Sequence, residues 1–142
     1  MKQLLIISFL VAGMSTTYAQ SEIEGYWLAG EGETIVAFEA TADGTYQGKI
    51  AWIKKLANKK GQSPKDKNNP DKSLRSRDIL GLPMVERLDY EDGEWTGKLY
   101  SPKNGRTVNA TFMLEGEDKL IVKVRFRGFK RTQEWTRTEL PK

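Results

Sequence analysis

Glu31 and Glu33, separated by one glycine in Gly-Glu-Gly-Glu-Thr, are the first side chains in this sequence that could work as a pair. Two carboxylates flanking a scissile bond are the glycosidase arrangement. A working acid–base pair needs environments that push its two pKa values apart. This pair falls at an apparent turn, where carboxylates are ordinarily solvated, so a turn role is expected. Asp66, Asn68 and Asp71 offer oxygens at a spacing that invites a calcium reading. The EF-hand loop, however, wants alternating oxygen ligands and glycine in sixth place. Here Pro70 and Asp71 occupy the fifth and sixth places, so Asx-turn and capping roles are expected instead. Ser73 and Ser76 beside Lys72 mimic a Ser-Lys dyad, but they read as surface serines of a short helix.

The 142 residues include no cysteine and no histidine. That excludes disulfides, thiolate or imidazole metal sites, cysteine nucleophiles and Ser-His-Asp triads. No catalytic residue, metal or cofactor is therefore expected, and the chain reads as a non-enzyme.

Charge is distributed unevenly. The whole chain carries 23 Lys and Arg against 19 Asp and Glu. Residues 54–77 alone hold nine basic and two acidic side chains, a local charge of +7. Such a segment can neutralise phosphates. No aromatic residue interleaves it to stack bases, so a nucleic acid partner is not expected. An anionic envelope surface or an acidic ligand headgroup fits better.

Lys2, the apolar run Leu4 to Val11, and a small and polar stretch ending in Thr17-Tyr18-Ala19 have the three-part plan of a secretory signal peptide. Residues 1–19 are expected to be removed. The apolar run is shorter than the roughly 20 residues that span a bilayer. Residues 20–142 then form one domain with one core, without a transmembrane segment, monomeric and periplasmic or secreted.

Alternation defines the elements. In "TYQGKIAWIKK", Tyr46, Gly48, Ile50 and Trp52 alternate with Gln47, Lys49 and Ala51, the period of a half-buried strand. "RTVNATFMLE" and "KLIVKVRFRG" do the same, while "ETIVAFEAT" is apolar on both faces. Asp43-Gly44, Asp92-Gly93, Asn104-Gly105, Gly116 and Gly128 separate the runs. Eight strands are expected, near 24–29, 33–41, 45–54, 82–90, 94–100, 105–115, 118–127 and 130–138. The expected fold is all-β, an eight-stranded antiparallel up-and-down barrel that hides its edges, with a sandwich as the alternative.

Between the third and fourth strands lies a connection of some 27 residues, far beyond an ordinary loop. Residues 56–69 read as a mobile polar loop. Asn69 is a good N-cap and Pro70 suits a first helical position, so a short helix is expected over 70–77. It would turn Leu74 toward the barrel and present Arg75 and Arg77 to an acidic group. The competing expectation has these arginines pin the insert through Asp71 or Asp78.

"IEGYWLAGEGETIV", "GKIAWIKK", "DKNNPDKSLRSRDILGLPMV", "GEWTGKLYSPKNGRT" and "RTQEWTR" resemble the bacterial domain-of-unknown-function family 2147. The resemblance runs over essentially the whole mature chain and implies a small exported protein, with no activity to carry over. Asp78 departs from it, since such proteins often have proline there. The chain is also similar to lipocalin-like barrels. Those open on Gly-x-Trp and end with an arginine over that tryptophan, matched here by Gly25, Trp27 and Arg137. A stacked Trp–Arg plug contributes about 0.5–2 kcal/mol.

Two functions follow from this reading. In the first, the barrel holds a small apolar or amphipathic ligand, with Tyr46, Trp52, Trp95, Tyr100 and Phe112 as candidate lining and Arg75 and Arg77 at an acidic headgroup. In the second, the barrel is filled and the protein is an envelope scaffold acting through its basic loop.

Overall fold

The computed structural model describes residues 19–57 and 63–142. The expected signal peptide lies, but for Ala19, outside the described residues, as do residues 58–62 of the insert. After a helical turn at 19–21 come eight strands: β1 (Gly25–Leu28), β2 (Thr34–Ala40), β3 (Tyr46–Ile53), β4 (Pro83–Glu91), β5 (Glu94–Ser101), β6 (Arg106–Glu115), β7 (Lys119–Phe126) and β8 (Phe129–Thr138). Each pairs antiparallel with its neighbours in sequence, and β8 returns to β1, so the sheet is a closed barrel in up-and-down order. The barrel, not the sandwich, is the fold.

Closure sorts side chains by parity. Along β5, Trp95 and Leu99 are buried while Thr96 and Lys98 are exposed; along β6, Ala110 and Phe112 are buried. The interior is ring-rich. Trp27, Trp95 and Trp135 are at most 2% exposed. Phe112 packs edge-on against Phe38 and Trp135, both at 5.7 Å between ring centroids. Each such ring removes on the order of 200 Å² from water, worth about 5 kcal/mol by area before ordering entropy is charged against it.

One end is plugged. Trp27 donates from Nε1 to the Ile23 carbonyl at 2.8 Å, and the Arg137 guanidinium lies 4.2 Å from the Trp27 ring. Arg137 also donates to the carbonyls of Glu22, Glu24 and Glu117 at 2.8, 3.0 and 2.9 Å. Gly25 makes room for it: its φ is +112°, and an added Cβ would sit 3.3 Å from an Arg137 nitrogen.

The long connection departs from expectation. A helical turn, Lys54–Ala57, opens it, and Lys65 bridges Asp78, so much of the segment read as a mobile loop is built. The helix expected over 70–77 is a single 3-10 turn, Lys72–Leu74, capped by Asp71 rather than Asn69. Asp71 takes the cap because its carboxylate accepts from the Ser73 amide and hydroxyl, at 3.0 and 2.7 Å. Asn69 is engaged one step earlier, its Oδ1 accepting from the Asp71 amide at 2.8 Å.

Arg137→Ala should lower stability by about 1–2 kcal/mol through lost stacking and packing. Gly25→Ala should cost about 1–3 kcal/mol, because alanine resists that backbone and crowds the guanidinium. Urea midpoints at unchanged slope measure both, and an unmoved midpoint for either would mean the plug carries no stability.

Candidate functional site

Asp66 is the one carboxylate fully withdrawn from solvent among the described residues, at 0% exposure. An isolated buried charge is strongly unfavourable, so it must be surrounded by donors. Tyr100 donates its hydroxyl at 2.6 Å, Asn69 its amide at 2.9 Å and Arg77 its Nε at 2.9 Å. The backbone adds to this, with the Asp66 amide donating to the Arg77 carbonyl at 3.0 Å. Burial pushes the Asp66 carboxyl up, but the bonds from Tyr100, Asn69 and Arg77 outweigh it and hold the group below the ordinary carboxylate value. Burial and the neighbouring Asp66 push the Tyr100 hydroxyl up to about 12.

This network fastens the insert to the barrel. Tyr100 lies on β5 in the outward parity of Thr96 and Lys98, so the insert is held against the outer wall. Asn68 extends the attachment by donating to the Lys103 carbonyl at 2.9 Å. The two packed chains meet closely enough that a Cβ at Gly105 would fall 1.9 Å from the Asn68 carbonyl oxygen.

A groove of about 520 Å³ is left between the insert and the outer faces of β4 and β5. Pro70, Leu74, Pro83 and Met84 give it apolar surface, and Arg77, Arg87 and Lys98 border it with Glu86 and Asp89. The buried interior residues Val85, Leu88 and Leu99 are not among its walls.

The candidates from sequence are divided by this geometry. Tyr46, Trp95 and Phe112 belong to the interior cluster. Trp52 does not: a bulge between Ile35 and Val36 shifts the ladder so that Trp52 pairs with Ile35, on the face opposite Val36. Arg77 and Tyr100 meet at the groove, with the guanidinium 5.7 Å from the ring. Arg75 is exposed and donates to the Asn69 carbonyl at 2.7 Å. Neither arginine pairs with Asp71 or Asp78 as the pinning account expected; Lys65 takes Asp78, and Arg77 takes Asp66. Gly25, Trp27 and Arg137 stand together at the plugged end.

Several of the possible catalytic and metal groups are engaged in structural bonds. Glu31 pairs with Lys103 and Arg131 at 4.0 and 3.9 Å. Ser73 bonds Asp71. Among the described residues no group of three potential metal ligands gathers. Sequence reasoning missed Asp66 as a centre, because its partner Tyr100 is 34 residues away.

The family model described as "Uncharacterized protein conserved in bacteria (DUF2147)" matches residues 25–137, and the chain belongs to that family. A solved structure, described as "Protein HP1028 from the human pathogen Helicobacter pylori belongs to the lipocalin family", superposes with a TM-score of 0.67 at 18% identity, covering 82% of this chain and 83% of the other. That likeness is one of fold. A search of curated proteins finds no match.

The sign of the pH dependence follows from these shifts. A carboxylate lowered in the fold contributes stability that is complete above its unfolded value near 3.9 and is lost as pH falls through the lower folded value. A tyrosine raised from its ordinary 10.0 to about 12 contributes stability that is complete below 10 and is lost as pH rises toward 12. Asp66→Asn should therefore weaken the acid limb of the stability profile, and Tyr100→Phe the alkaline limb. Each should also lower stability near neutral pH by about 1–3 kcal/mol. Urea midpoints across pH test this, and profiles parallel to wild type would contradict the assignment.

Proposed function

We propose that this member of the DUF2147 family is an exported, non-enzymatic binding protein that holds a small amphipathic ligand with an acidic group. The ligand lies in the groove between residues 69–77 and the outer wall of β4 and β5. The observation that carries the reading is the contrast between the two candidate containers. Rings of Phe38, Phe112 and Trp135 pack against one another inside the barrel, whereas the groove is open, about 520 Å³, apolar along Leu74 and Met84, and bordered by Lys98 and by Arg87, which also pairs with Asp43 and Asp89 at 3.7 and 3.5 Å. Small-ligand sites typically occupy about 300–1,000 Å³ and combine apolar walls with a few orienting polar groups. Arg77 joins the two halves of the site, since its Nε holds Asp66 while the residue borders the groove.

Export rests on the signal-like plan of residues 1–19. The non-enzymatic reading rests on the missing histidine and cysteine and on the engagement of Glu31 and Ser73 in ordinary structural bonds.

Native mass spectrometry of protein released from its own envelope should show a retained small molecule on a chain beginning near Gln20. A chain still carrying Met1 in the cytoplasmic fraction would overturn export. Dodecanoate serves as the binding probe. Arg87→Gln/Lys98→Gln should weaken it by roughly tenfold, through loss of charge-assisted contacts, with the urea midpoint moved only by the little that the exposed pairs of Arg87 with Asp43 and Asp89 contribute. Equal affinity in wild type and variant would remove the groove as the site.

A further inference from the structure

We propose that the β7–β8 hairpin tip, Arg125 to Arg131, is a docking element for an anionic lipid bilayer, a role independent of the groove. Its sequence, Arg-Phe-Arg-Gly-Phe-Lys-Arg, places four basic residues and two phenylalanines in seven positions, with no acidic residue. The turn is a tight one. Arg127 and Gly128 occupy its two central positions with φ of 46° and 82°, both in the left-handed region that such a two-residue hairpin demands. Asparagine, aspartate or glycine suits the first of those positions, and arginine resists it. A cation therefore stands at the apex despite its backbone preference.

The tip projects. The ladder between β6 and β7 starts at Asn109 opposite Arg125, and β8 meets β1 only from Thr136 onward. Phe126 and Phe129 pair across the hairpin beyond both. Phe126 is sheltered by the guanidinium groups of Arg106 and Arg127, each 5.4 Å from its ring. Phe129 is 79% exposed, whereas the other exposed large apolar side chains among the described residues reach at most 44%. Arg131 leans to Glu31 at 3.9 Å, but among the described residues no carboxylate pairs with Arg125, Arg127 or Lys130.

The remainder of the molecule orients that tip. In an up-and-down barrel every second connection falls at the same end. The segments 22–24, 41–45, 91–94 and 115–118 share the plugged end and carry nine carboxylates, with Arg137 set among them. The hairpin tip, Lys103 and the basic insert share the opposite end with Glu33 and with Glu31, which pairs with Lys103 and Arg131, so that end keeps an excess of cations. An anionic surface attracts one pole and repels the other, so the barrel approaches with Phe129 leading. A single aromatic ring on a convex, cationic tip suits a fluid interface, where the ring enters the acyl boundary and the cations remain among the phosphates. A protein partner would need a pocket shaped for the ring. A nucleic acid duplex would use the cations and leave the ring idle, and a single strand that stacked a base on Phe129 would keep the ring out of reach of acyl chains.

Sedimentation of full-length mature protein with vesicles of phosphatidylglycerol and phosphatidylcholine tests this. Each cation near such a surface is worth roughly fivefold in binding, so Arg125→Gln/Arg127→Gln/Lys130→Gln should reduce partitioning on the order of 100-fold. Phe129→Ser should reduce it about tenfold. Both sites are exposed, so the urea midpoint should not move. In a Phe129→Trp variant, the new fluorescence should be quenched by brominated acyl chains, and binding should fall steeply at high salt. Equal binding to pure phosphatidylcholine, unchanged partitioning of the variants, or absence of quenching by brominated chains would overturn the proposal. So would binding to a soluble polyanion that matches vesicle binding and depends on the same three cations but not on Phe129.

Discussion

The barrel depends on a short seam. β1 meets β8 over only three residue pairs, Tyr26 with Thr138, Trp27 with Arg137 and Leu28 with Thr136. Without that join the sheet would have two open edges and no enclosed core. Arg137 holds the seam from the side by bonding carbonyls before β1 and in the β6–β7 turn while covering Trp27. One planar cation thus satisfies several backbone acceptors that the turns leave open, and the same group seals the core against water. A lysine could not reproduce this fork.

One end is sealed by a ring, and more rings pack against one another in the section above it. Space is left outside the wall, where the insert stands off from β4 and β5. Closing so long a loop is not in itself prohibitive, because loop entropy grows only slowly with length. What the insert needs is a single attachment. Asp66 supplies it by burying a charge that only the correct register can satisfy, since Tyr100, Asn69 and Arg77 must all arrive together. A slipped insert would leave that carboxylate unpaired, so the network selects one register as well as contributing stability.

The strands were legible because their signal is local. Alternation along β3, β6 and β7, punctuated by Asp-Gly and Asn-Gly, marked strand ends to within one or two residues. Where the sequence misled, the deciding contact was remote or two residue types competed. Asn69 and Asp71 are both good caps, and only the position of Ser73 favours Asp71. Trp52 lay in the inward parity until an unmarked bulge turned it. Asp66 looked like any acidic residue of a polar loop, because the tyrosine that buries it comes from β5.

The charge reading shows the same limit from another direction. Counting along the chain correctly found +7 in residues 54–77 and overlooked the second basic cluster, since the acidic residues around it in sequence balance the sum. In space those acidic residues are elsewhere. Up-and-down order sends alternate turns to opposite poles, so charges that are neighbours along the chain are sorted a strand's length apart. A strand of eight residues spans about 26 Å, well over the roughly 8 Å Debye length at physiological salt. Charges at the two ends are therefore screened from each other, and the net charge of the chain does not describe either end. The sign at each end, not the sum, governs what that end approaches.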